Sequence, residues 1–199
     1  DQLSLELHGD RPTVRFTRTE AIKVVTTAGL SYAEVRLPIV PGERLEFVGQ
    51  TRLPDGSVRR LDPKTAMTVR VGQAGGESQV TERIYRFPAV RVGAIVEYSW
   101  SKTASSLPRE IAQPVIDELP VRRYRLAIEG PDTLHYVVAG SGLDADFRTE
   151  THSDRWRVRL ALDDLRPPEL EPMGPAPETL VPRWSLRITQ AQLEEDTWD

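Results

Sequence analysis

The sequence predicts an all-β protein, an antiparallel β-sandwich of about a dozen short strands with little helix. Three observations carry this. Apolar and polar residues alternate with period two in many short stretches, turn signals separate those stretches, and helical periodicity is nearly absent. The stretch from Arg86 to Lys102 anchors the reading. Ile95, Glu97 and Ser99 alternate there with Val96, Tyr98 and Trp100, as in a strand with one buried face. Gly93 precedes it at a position suited to positive φ, and Pro88 ends the preceding run, where a missing N–H disturbs a ladder least.

The other elements follow in order. Leu3, Leu5 and Leu7 mark a first strand that ends at Gly9-Asp10, and Thr13 to Thr27 predicts a long second one. Ala28-Gly29 turns the chain into a strand from Tyr32 to Ile39, and Pro41-Gly42 turns it again. Arg44 to Leu53 and Ser57 to Leu61 form a hairpin around Pro54-Asp55-Gly56. Proline presets φ there, the aspartate bonds nearby backbone, and glycine takes the left-handed position. Val69 to Val71 is short, Gly72 to Ser78 is a polar tip, and Gln79 to Phe87 leads to the central strand. Pro108, Pro114 and Pro120 restrict any helix to a turn or two around Arg109 to Ala112. Strands resume over Val121 to Ile128, Thr133 to Val138, Ala145 to Thr151 and Trp156 to Leu162. Leu165 to Pro182 is rich in proline and expected to be extended, Arg183 to Thr189 is a last strand, and 191–199 is an acidic linker. Residues 1–190 are expected to form one sandwich or two abutting β units with a break near 104–120.

Totals exclude several functions. A net charge of −4 does not predict affinity for nucleic acid or an anionic membrane, and no run of residues is long and apolar enough for a membrane span. Cysteine is absent, which removes disulfides, thiolate metal sites and cysteine nucleophiles. The chain begins at Asp1 rather than Met, as a processed chain would, and Trp198 in the acidic tail leads us to expect further polypeptide beyond it.

Candidate site residues are few. Arg155, Arg157 and Arg159 share one face of a strand, where three guanidiniums would attract carboxylates or sulfates; the alternative is a solvated face paired with acids on a neighbouring strand. Trp100 and Trp156 lie in phase with aliphatic neighbours and are expected in the core. Trp184 and Tyr32 remain as candidates for an aromatic platform that stacks on sugar rings. His8, His135 and His152 lack the spacing of a zinc site, and Gly140 to Asp146 lacks the oxygen ligands of a calcium loop. No cofactor is expected. No serine has a nucleophile-elbow context and no carboxylate pair stands out, so the chain is expected to be non-catalytic.

Four segments, A-G-L-S-Y-A-E (28–34), L-P-D-G-S-V (53–58), F-P-A-V-R-V-G-A-I-V-E-Y (87–98) and L-P-V-R-R-Y-R (119–125), resemble an uncharacterised all-β domain. That domain occurs on the N-terminal side of transglutaminase-like, papain-type domains in bacterial secreted proteins. P-P-E-L-E-P at 167–172 is similar to its exit toward the catalytic domain. The resemblance implies a β-sandwich, a periplasmic or extracellular setting, and a downstream transglutaminase-like domain as partner in the same polypeptide. The catalytic Cys-His-Asp set would lie beyond Asp199. Ala94 stands where the family is expected to carry an acid, so no role of that carboxylate transfers. The expected function is an accessory module that positions the catalytic domain or binds its protein or peptide partner. The alternative is a carbohydrate- or polymer-binding module.

Overall fold

The computed structural model describes residues 1–8, 11–71, 80–116, 118–167 and 181–191. The chain is all-β. Among the described residues, fourteen strands and two 3-10 turns divide between two compact units, the first of residues 1–14 with 106–199 and the second of residues 15–105. The strand β2 (Arg11–Lys23) carries the chain from one unit into the other.

In the first unit, β1 (Gln2–His8) lies beside β10 (Val121–Pro131), followed outward by β13 (Arg155–Leu165) and β12 (Arg148–His152). A second sheet has the order β11 (Leu134–Ser141), β14 (Arg183–Ala191) and β9 (Glu110–Pro114). The antiparallel expectation fails at one ladder, since β1 and β10 run parallel with Leu3 opposite Ile128. These strands lie far apart in sequence, so no hairpin dictates their direction. The segment around Arg109 to Ala112, where the prolines leave room for at most a turn or two of helix, pairs as β9 against β14. Its prolines stand at an edge, where an absent donor costs little.

Alternation decides what this unit buries. Trp156, Val158 and Leu160 point inward from β13, while Arg157 and Arg159 are exposed. Leu126 and Ile128 from β10, Leu3 and Leu5 from β1, and Trp184 and Leu186 from β14 complete the interior. The polar ends of the aromatics are satisfied. Trp156 Nε1 donates to the Leu134 carbonyl at 3.0 Å, and Trp184 Nε1 donates to Tyr124 Oη at 2.8 Å. Tyr124 in turn donates to the Asp1 carboxylate at 2.8 Å. Tyr136 stacks on Trp156 with centroids 3.8 Å apart. Gly130, paired with Trp156, has no room for a side chain, because a Cβ would lie 2.5 Å from the indole Cζ2.

In the second unit, β8 (Ile95–Ala104) lies between β2 and β4 (Arg44–Arg52), and β5 (Val58–Arg60) ends that sheet. Its other sheet has the order β3 (Glu34–Ile39), β7 (Val80–Arg86) and β6 (Met67–Val71). The long strand expected over 13–27 stops at Lys23, and Thr27–Ala33 is a 3-10 turn holding Tyr32. The strand yields there because Val24 is buried and bonded out of the ladder. Its N–H donates to the Ala94 carbonyl and its carbonyl accepts from Gly93. Gly93 has φ +89°, which suits glycine. The polar tip at 72–78, the prolines from 168 to 180 and the tail 192–199 lie outside the described residues.

The hairpin between β4 and β5 forms from the residues that announce it. Leu53 N–H donates to the Ser57 carbonyl at 2.8 Å, Gly56 has φ +84°, and the Asp55 carboxylate accepts from Ser57 N–H at 2.9 Å. The Ser57 hydroxyl, which donates to the same carboxylate at 2.6 Å, and the Ser57 N–H hold the Asp55 carboxyl below the usual carboxylate range.

Two substitutions test this packing. Gly130→Ala should destabilise the chain by about 2 kcal/mol, because overpacking forces the Trp156 indole off its carbonyl partner. Thr51 is fully buried and its hydroxyl has no hydrogen-bond partner among the described residues. Thr51→Val should therefore stabilise by about 1 kcal/mol. Urea midpoints measure both, and a destabilised Thr51→Val would mean that the hydroxyl is satisfied.

Candidate functional site

The second unit contains an open groove of about 600 Å³ on the solvent-facing side of its β2–β8–β4–β5 sheet. Register places its lining. Val48 lies opposite Ser99, Gln50 lies opposite both Glu97 and Arg60, and Arg52 lies opposite Val58. Side chains of one strand alternate between faces, so these residues share the side opposite Val96 and Tyr98. Thr19 and Ala21 of β2, Arg60 of β5 and Pro63 after it complete the wall.

The floor is a hydrogen-bonded polar array with an apolar interruption. Thr19 Oγ1 donates to Ser99 Oγ at 3.0 Å, and Gln50 Nε2 donates to Glu97 at 2.7 Å. Arg52 reaches the same carboxylate, with its closest contact at 3.1 Å. Val48 interrupts the array at 65% exposure, the highest of the valines around the groove. Arg60 at the rim forms no ion pair among the described residues. Hydroxyls, an amide, one free guanidinium and an exposed valine are chemistry for binding.

Beneath the floor lies a buried ionisable pair. Tyr98 points into the core and donates a short hydrogen bond to the Glu20 carboxylate. Burial pushes its phenol far above the ordinary 10.0, and the Glu20 charge adds to that. Arg18 stands 3.8 Å from Glu20 on the same strand.

The residues singled out from sequence are dispersed. Arg157 and Arg159 each face an acid. Arg157 Nη2 lies 2.8 Å from Glu129 and Arg159 Nη1 lies 3.3 Å from Glu150. The bond to Glu129 raises the Arg157 pKa. Arg155 ends the same strand opposite His152. Nearby, Arg125 holds Asp163 at 3.1 Å and the Leu162 carbonyl at 2.9 Å. Trp184 is fully buried rather than displayed. Its phase with Leu186 on β14 puts both inside, so it offers no platform to a sugar ring. Tyr32 is half-buried in the 3-10 turn. His135 and His152 are exposed, the His8 side chain lies outside the described residues, and no three metal-binding side chains cluster among the described residues. In the loop after β11, Leu143 and Phe147 close over Gly140.

The groove escaped the sequence reading because its residues come from four strands. Two signals were present: Glu97 and Ser99 fall on one face in the alternation of their strand, and the Arg59-Arg60 doublet comes just after the hairpin, past Ser57 and Val58.

The Glu20–Tyr98 pair has a defined pH signature. A phenol pKa raised by folding contributes stability that is complete below pH 10.0 and is lost as pH rises above it. Stability followed by chemical unfolding should fall above pH 10 in the parent chain, and Tyr98→Phe should flatten that limb. An identical alkaline limb in both proteins would refute the assignment.

With the geometry described, comparisons place the chain among known proteins. No curated protein matches the sequence. A solved structure from Parabacteroides distasonis ATCC 8503, described as a candidate protease, is similar with a TM-score of 0.78 at 16% identity. The match covers 93% of this chain and 38% of that one, so the chain spans well under half the length of that protein. At this identity the likeness concerns the fold alone. The family profile of DUF3857, a domain of unknown function with solved structure, matches residues 10–169, and the chain belongs to that family.

Proposed function

We propose that this chain is a non-catalytic accessory and interaction module of a larger secreted bacterial protein. In this reading its paired sheets act as a β-sandwich scaffold in a periplasmic or extracellular setting. The module positions a downstream transglutaminase-like domain or captures that domain's protein partner.

One observation carries the reading. Nearly all of this chain superposes on a minor share of a longer protein, so the same fold occurs there as one part of a larger polypeptide. The local chemistry supports it as well. The groove presents hydrogen-bonding side chains and an exposed valine, which suits a binding surface. The glycan alternative draws no support from Trp184, which is buried.

The test uses the parent protein with and without residues 1–191. Deletion should lower turnover of a protein substrate at least about tenfold while a short peptide substrate is turned over as before. Unchanged turnover of the protein substrate, or hydrolysis by residues 1–191 alone, would overturn the proposal.

A further inference from the structure

The chain's charge is unevenly divided. Residues 15–105 contain fourteen Lys and Arg against nine Asp and Glu, a net of +5 within a chain whose total is −4. Most cations of this unit are held on acids, as Arg52 is on Glu97 and Arg91 on Asp55. Lys23, Arg70 and Arg83 have no ion pair among the described residues and lie on three separate strands, whereas Arg59, Arg60 and Lys64 fall together. All three are exposed, they cluster on β5 and the turn after it, and none has an ion-pair partner among the described residues.

The backbone at the same place is also open. β5 is the last strand of its sheet. Leu53 N–H donates to the Ser57 carbonyl and Leu61 N–H to the Gly49 carbonyl, so the hydrogen-bonded pairs of this antiparallel ladder fall at 53–57, 51–59 and 49–61. Arg59 therefore spends its backbone groups on Thr51, whereas Val58 and Arg60 turn theirs outward. The side chains of these two residues share the groove's face, and Val58 is 40% exposed beside the more exposed Val48.

We propose that β5 is a β-augmentation site for an extended acidic peptide. Such a strand would exchange backbone hydrogen bonds with Val58 and Arg60 and lay alternate apolar side chains toward Val58 and Val48. Its carboxylates would fall on the other face, with Arg59, and the nearby charges of Arg60 and Lys64 would add to the attraction. The outward N–H and C=O pairs favour a peptide over a polyanion, since a sulfated or phosphorylated polymer has no strand of amides to exchange. This rests on the interaction-module reading and supplies the chemistry of its partner.

The probe is an acetylated, amidated octapeptide of alternating valine and glutamate, with a valine–lysine octapeptide and heparin as comparisons. Amide exchange on the intact chain reads the site directly. Saturating valine–glutamate peptide should slow exchange at Val58 and Arg60 at least about tenfold and leave Arg59, already bonded to Thr51, unchanged. The double variant R59E/K64E should weaken binding at least about tenfold. Arg60→Pro removes an N–H that the β4–β5 ladder does not use, so it should preserve the melting temperature and abolish binding. If Arg60→Pro unfolds the chain, the exchange pattern and R59E/K64E still decide. Peptide binding without protection at Val58 and Arg60 overturns the proposal. So does absent binding, or heparin binding with equal affinity and the same sensitivity to R59E/K64E. The deletion experiment on the parent protein is independent, so an interaction module with a different docking site would be recognised as such.

Discussion

The second unit depends on one aromatic contact. Phe47 of β4 stacks on Tyr85 of β7 with centroids 3.7 Å apart and planes inclined by 8°, and these strands belong to different sheets. Phe87 and Tyr98 close around Phe47 at 6.2 and 5.9 Å. A sheet of short strands cannot bury its own face, so stability comes from what lies between the layers. Four aromatic rings provide that filling economically, since each buries more area than an aliphatic side chain. The arrangement imposes a demand on the backbone. Gly49 lies opposite Tyr98, and a Cβ there would fall 2.7 Å from the Phe87 ring and 3.1 Å from Phe47. The rings fit only because that position has no side chain. Gly130 under Trp156 repeats the solution in the first unit.

From that packing follows the allocation of charge. The inner faces are filled by rings and aliphatics, so the arginines and acids occupy the outer faces and pair across strands. Glu34 with Arg36 and Arg86 is one such cluster, and Glu34 is held below the usual carboxylate range by its bonds to both. These groups are exposed, and each pair adds little to stability. Their effect is on specificity of register, because like charges opposite each other would disfavour a slipped ladder. Against that background Arg59, Arg60 and Lys64 stand out because three cations without an ion pair among the described residues adjoin one another on β5 and its turn.

The fold was legible where a local rule suffices. Pro54-Asp55-Gly56 names its own turn, and the alternation of Trp156, Val158 and Leu160 names its buried face. What stayed hidden depends on partners distant in sequence. Nothing in Leu3 or Leu5 says that β1 lies parallel to β10, because direction is set by which faces need cover. The segment before Pro114 reads as broken helix until β14 supplies a pairing edge. Val24 has the pattern of a continuing strand, and only the carbonyl of Ala94 and the N–H of Gly93 withdraw it. Trp184 looked free because Pro182 and Arg183 directly precede it, yet Leu186 two positions on shares its phase. The groove is the extreme case, since its residues lie on four strands and only register assembles them.

Edge strands explain why the site falls where it does. A sheet end presents unpaired amides, and proteins normally blunt such an end with brevity, charge or proline. β5 uses two of these devices, being three residues long and carrying two arginines. The same devices define a selective surface. A short edge pairs too weakly with an arbitrary strand to aggregate, and positive charge repels a second copy of itself. An acidic strand is the exception, because its carboxylates add the attraction that three residues of backbone pairing lack. Protection against indiscriminate pairing and preference for an acidic partner are thus one physical property of Val58, Arg59 and Arg60.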